Sequence, residues 1–95
     1  RVSADLDMID SMISAVEIYS ADPAHNIVSD SLKCTGGVVT ADPEVTAALG
    51  DAGITISAST KTKSKAFQDW EIAFSETGMT FSGTNGADLK TALGR

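Results

Sequence analysis

The stretch Val2-Ser3-Ala4-Asp5-Leu6-Asp7-Met8-Ile9-Asp10-Ser11-Met12-Ile13-Ser14-Ala15-Val16-Glu17-Ile18-Tyr19-Ser20-Ala21 decides the fold. Within it Val2, Leu6, Ile9, Ile13, Val16 and Ser20 are spaced four, three, four, three, four, which is one seam of an α-helix. Asp7, Asp10, Ser14 and Glu17 make the opposite, solvated strip. The apolar surface is wider than the seam, because Met8, Met12, Ala15 and Tyr19 lie beside it and Ile18 further round. At ~100° per residue it covers roughly half the circumference, more than a helix on one small core needs. Two readings fit. The helix is buried deeply in its own domain, or it faces its own sheet on one side and another subunit on the other.

Outward from this helix the chain is punctuated by turn chemistry. Asp22-Pro23 stops it near Ala21, since the residue before proline avoids helical dihedrals. A connecting region of about residues 22–53 follows. In it Ala24 to Lys33 reads as a short helix or irregular connection that Gly36-Gly37 ends. Asp42-Pro43, with Glu44 in the first turn, opens a short helix over about Pro43 to Leu49, and Gly50 suits its C-terminal cap.

From Ile54 the period changes to two. Ile54, Ile56 and Ala58 alternate with Thr55, Ser57 and Ser59. Lys61, Lys63 and Lys65 alternate with Thr62 and Ser64 in a polar connection. Trp70, Ile72 and Phe74 form a second strand, the turn Glu76-Thr77-Gly78 follows, and Met79 and Phe81 mark a third. The expectation is a three-stranded antiparallel meander within residues 54–95, with a last helical turn at Ala87 to Leu93 closed by Gly94. Matched periodicity sets Trp70, Ile72 and Phe74 against Ile9, Ile13 and Val16 as the core. The fold class is therefore α+β, a long N-terminal helix on a small antiparallel β-meander, in one domain spanning residues 1–95.

Composition narrows the function classes. Net charge is -6 over 95 residues, so phosphate backbones are repelled over most of the surface and no dedicated nucleic-acid binding is expected. One cysteine, Cys34, cannot form a disulfide within its own chain, and with one histidine, His25, it cannot build a zinc site of the Cys/His type. Cys34 reads as a small buried hydrophobe with a free thiol, and His25 as a surface imidazole in a capping turn. The Gly78 to Asn85 stretch has phosphate-loop glycine spacing but no lysine, and it lies on a strand. Asp42, Glu44 and Asp51 lack the ligand loop that a calcium ion needs, and helix caps account for Asp42 and Glu44. The lysines at 61, 63 and 65 read as a solvated loop. No acid, base and nucleophile converge by type, so no enzyme, cofactor or metal is expected.

Arg1-Val2-Ser3 and the stretch Met12-Ile13-Ser14-Ala15-Val16-Glu17-Ile18-Tyr19-Ser20-Ala21-Asp22 carry a resemblance to the type IV pilins. The second stretch is similar to the end of the pilin helix, an Ala-rich apolar helix that closes on a Tyr and a small polar stop. The resemblance implies a structural subunit of a pilus fibre, a fimbrium that serves adhesion or motility. It implies a membrane-anchored precursor with a methylated N-terminus, held in the inner membrane by an apolar segment upstream of Arg1. It also implies a homo-polymer of identical subunits in an extracellular fibre. On this reading some of Val2, Leu6, Met8, Met12 and Ile18 stay exposed in the isolated domain and pack between subunits. The chain departs from the family in having no cysteine pair near its C-terminus, so Leu89 and Leu93 are expected to hold Gly83 to Arg95 against the sheet. Two other readings stay open, a pseudopilin of a type II secretion apparatus and a small exported glycan- or peptide-binding module.

Overall fold

Helix α1 spans Val2–Ala21 in the computed structural model, which describes all 95 residues. At 1.5 Å per residue it is about 30 Å long. It stops where the proline rule places its end: Asp22 is extended (φ -76°, ψ 121°), and its carboxylate accepts the Ala24 N–H at 2.9 Å. No helix in the structure is long and apolar enough to cross a membrane.

The sheet begins earlier in the chain than the sequence suggests. Strands β1 (Ser31–Thr35) and β2 (Val38–Ala41) form a hairpin inside the region read as a connection. Gly36 and Gly37 are its two-residue turn, with φ of 54° and 81°. Both central residues of such a turn need positive φ, which only glycine adopts freely. A helix α2 spans Pro43–Asp51, close to expectation. Strands β3 (Trp70–Ser75) and β4 (Gly78–Ser82) form the second hairpin, and α3 spans Gly86–Leu93. The order is β2-β1-β3-β4, antiparallel throughout, so the sheet has four strands and is not a meander starting at Ile54.

The segment Ile54 to Ser59 is not a strand. Ile54 and Ile56 are half-buried and alternate with exposed Thr55 and Ser57, but Ala58, expected to continue the buried side of a strand, is exposed. It has no ladder to join. The segment leaves α2 by Ile54 N–H to Leu49 O (2.8 Å), turns at Ser57–Thr60, and then only touches the edge of β2 through Val39 N–H to Thr60 O (2.9 Å) and a single bridge between Val38 and Lys61.

Pairing places Leu32 beside Ile72, and Cys34 beside both Trp70 and Val39. With Phe74 these side chains form the inner face of the sheet. Ile9, Ile13 and Val16 of α1 are buried with them in one cluster, as are Trp70, Ile72 and Phe74. Residues Val45, Ala48 and Leu49 of α2 and Leu89 of α3 complete it.

Candidate functional site

The surface singled out by the sequence is the flank of α1. Asp5, Ile9, Met12, Ile13, Ala15 and Val16 are buried, and Leu6, Met8, Tyr19 and Ser20 are half-buried. At ~100° per residue this arc is roughly half of the helix, the same width as its apolar surface. The domain itself covers that width. The sheet takes one side and α2 takes the flank beside it. Met12 is only 3% exposed and belongs to the core, so it cannot be part of an exposed stripe. Leu6 and Met8 pack partly against the core. Two members of the expected surface stand out in solvent, Val2 at 48% and Ile18 at 73% exposure. Ile18 lies among Asp7, Ser11 and Ser14 on the polar side. Val2 lies on the same helical meridian as Ile9 and Ile13 by the 3.6-residue period, but at the end of the helix where the core no longer reaches it.

Asp5 has a role the sequence did not reveal. It is 3% exposed in the first turn of α1. Its Oδ1 accepts the Lys63 N–H at 2.9 Å, and its Oδ2 accepts the Lys63 N–H at 3.1 Å and the Ser64 N–H at 2.7 Å. The carboxylate thus ties residues 63–64 to the N-terminal end of α1. A buried carboxylate is tolerated because both oxygens are occupied. The sequence signal was an acid on the wheel between Ile9 and Met12, inside the apolar arc.

Cys34 points into the same end of the molecule. Its Sγ lies 3.6 Å from Thr62 Oγ1, 3.7 Å from Phe67 O and 3.5 Å from Gln68 O. Burial pushes the thiol up, and the Thr62 hydroxyl and the Gly37 backbone only partly offset this. The thiolate is the reactive form, so Cys34 in the folded chain is expected to react slowly with a thiol reagent at pH ~8 and quickly in denaturant. Immediate complete labelling of folded protein is the opposite outcome.

At the other end of α1, His25 stacks on Tyr19 with ring centroids 3.8 Å apart and planes 6° apart. Its Nδ1 has no hydrogen-bond partner, and the nearest carboxylate oxygen, on Asp22, is 3.9 Å away. Tyr19 also lines a cleft with Asn26, Pro43, Glu44 and Ala47, so the C-terminal end of α1 meets the start of α2. There the caps are exchanged relative to the simplest reading of Asp42-Pro43. Asp42 occupies the N-cap position, but its Oδ2 accepts the Ser31 N–H at 3.2 Å, and Asp30 Oδ2 caps α2 through the Glu44 N–H at 3.0 Å. A hydrogen bond with Asp30 holds the Asp42 carboxyl below its usual range; desolvation opposes this, and the nearby Lys33 ammonium and the Ser31 N–H add to the lowering.

The C-terminal region is held by more than leucines. Leu89 is fully buried and Leu93 half-buried. Asn85 Oδ1 accepts the N–H groups of Gln68 (3.1 Å) and Asp69 (3.0 Å). Arg95 reaches back to α1 at Asp10 Oδ1 (2.9 Å) and Glu17 Oε1 (3.0 Å). Burial alone would lower the guanidinium, but its hydrogen bonds to Asp10 and Glu17 outweigh that and hold it above its ordinary value. These contacts hold the end of the chain against α1 and the start of β3.

His25 and Cys34 contact different elements and share no partner. No group of three His, Cys, Asp or Glu side chains is placed to hold a metal ion. No family model, curated protein or solved structure matches the chain.

Proposed function

We propose that this chain is the globular part of a structural subunit of a type IV pilus-like fibre, polymerising through α1. The observation that carries the reading is Val2. It continues the seam of Ile9 and Ile13, yet it stands 48% exposed at the end of α1 beyond the core. An apolar seam that continues past its own core supports burial of this end of the helix between subunits. The α+β architecture, one long leading helix against an antiparallel sheet, supports the same reading. On this reading the seam runs on into an apolar segment upstream of Arg1 that anchors the subunit in the inner membrane before assembly into an extracellular fibre.

The test uses the protein with its natural upstream sequence. Val2→Asp is expected to leave the melting temperature of the 95-residue chain within a few degrees, because an exposed site contributes about 0.5 kcal/mol or less. In the full-length protein it is expected to abolish fibres seen by electron microscopy, because a charge is buried without a partner. Leu6 is unsuitable for this test: it packs against the core, so a charge there destabilises the domain as well. Normal fibre yield from the Val2→Asp protein, or an upstream sequence without an apolar stretch of ~20 residues, would remove the reading.

A further inference from the structure

We propose that the row Lys61, Lys63 and Lys65 is a docking surface for a second copy of this chain, which it meets head to tail at that copy's Asp30, Asp42 and Glu44. The proposal deepens the fibre reading and rests on it for the repetition of the contact.

The row is a constructed feature of the fold. Thr62 and Ser64 are buried and the three lysines between and beside them are exposed, on an extended stretch that ends at Ser64, where Lys65 opens a short 3-10 turn over Lys65–Phe67. Alternate residues in such a segment are about 6.6–6.8 Å apart. None of the three lysines has an ion-pair partner, whereas Lys33 pairs with Asp42 and Arg95 with Asp10 and Glu17. The backbone beneath them is fixed at successive residues. Thr62 N–H donates to Gly37 O (2.8 Å), the Thr62 hydroxyl donates to Phe67 O (2.7 Å), and the Lys63 and Ser64 N–H groups donate to Asp5. A row already ordered loses little entropy when it binds. Acids at this end do not neutralise it by contact: Asp5 is turned onto the two backbone amides, and Asp69 Oδ1 accepts the Gly36 N–H at 3.1 Å.

The complementary surface is at the opposite end of the same elements. Strand β1 runs from Asp30 and Ser31 toward the Gly36-Gly37 turn, and α1 runs from the Asp5 clasp toward Tyr19 and the cleft it shares with Glu44. Asp5 and Tyr19 are about 21 Å apart along the helix axis. Asp30, Asp42 and Glu44 gather there with Lys33 as the one cation among them. The two poles are too far apart to pair within one chain. Their charges match between copies stacked end to end, in a chain that carries 13 acids against 7 bases and otherwise repels itself. A heterologous contact of this kind, repeated, makes an open helical filament unless its rotation closes a ring.

The test follows sedimentation velocity of the 95-residue chain over a concentration series. Mass is expected to rise beyond the dimer at about 20 mM salt and to fall to monomer at about 500 mM, as the screening length drops from about 20 Å to about 4 Å. Lys63→Glu and Glu44→Lys are each expected to weaken association about tenfold, the first with an unchanged melting curve and the second with one lowered by a few degrees for the acid lost from the first turn of α2, and the double variant to restore association by exchanging the charges. Association that ignores salt, stops at the dimer, or is not restored in the double variant overturns the proposal. Salt-sensitive binding of heparin by a chain that stays monomeric also overturns it, in favour of an anionic glycan as the occupant of the lysine row. Full-length fibres that persist in Lys63→Glu remove this contact and leave the fibre reading intact. Salt-sensitive, swap-restored association in a protein that makes no fibres sustains the contact and removes the fibre reading.

Discussion

Trp70→Ala is expected to lower the stability of the folded chain by about 3–5 kcal/mol, the usual cost of removing a buried aromatic side chain. Trp70 is 2% exposed at the start of β3, opposite Cys34 on β1. Its indole N–H donates to Phe67 O at 3.0 Å, the same carbonyl that accepts the Thr62 hydroxyl. The truncation therefore opens a cavity under the sheet and removes one of the bonds that fold residues 62–67 over it. For a chain of this size the loss corresponds to a fall in melting temperature of roughly 12–40 °C. Domains of this length have about 5–15 kcal/mol in total, so much of the population is expected to unfold on modest warming. Trp70→Phe separates the two contributions. It keeps much of the apolar volume and deletes the donor, so it is expected to cost less than half as much. A thermal shift near zero for Trp70→Ala would show that the side chain is not at the centre of the core.

The second large effect is expected at Asp5. Asp5→Ala leaves the buried N–H of Ser64 and the part-buried N–H of Lys63 without acceptors. Each such loss costs about 1–3 kcal/mol, and hydrogen bonds to a charged acceptor are at the upper end. A destabilisation of about 2–6 kcal/mol is expected on that basis. Asp5→Asn is expected to fall between, since the amide offers one acceptor oxygen and turns a donor toward the other N–H. Amide hydrogen exchange provides the local readout. Protection at Lys63 and Ser64 is expected to drop in Asp5→Ala by more than protection in β3, because the clasp opens before the sheet does. Equal loss everywhere would mean that the clasp has no separate opening step.

Several features of this protein were legible from its residues. The α1 boundaries follow from the seam of Val2 to Ser20 and from Asp22-Pro23. The start of α2 follows from Asp42-Pro43, while its end runs through Gly50, expected as the cap, to Asp51; α3 ends at Gly94 as expected. The pattern of Trp70, Ile72 and Phe74 marked both β3 and the face that is buried, since a period of two leaves no freedom about which side chains share a face. Local chemistry decides these because the information lies within one or two turns of chain.

Other features depended on what lies far away in sequence. Gly36-Gly37, expected to end a short helix or irregular connection, is a hairpin turn, and Leu32, Cys34 and Val39 around it sit in strands; runs this short become strands only when β3 arrives to pair with β1. Ile54 to Ala58 shows the converse. Its alternation is stronger, but the edge of β2 accepts only Thr60 and Lys61, so the segment stays without a ladder. Alternation reports that one side of a chain is buried; a ladder needs a free strand edge at the right height, and only the assembled sheet provides one. The same holds for the width of α1's apolar surface. The sequence determined that about half of the helix is apolar, but not whether its own domain or another copy covers it. The position of α2 decided that for Met12 and left Val2 outside. Likewise Asp5 is an ordinary first-turn acid until residues 63–64 fold across it, because the value of a buried carboxylate is set by the donors that tertiary structure brings to it.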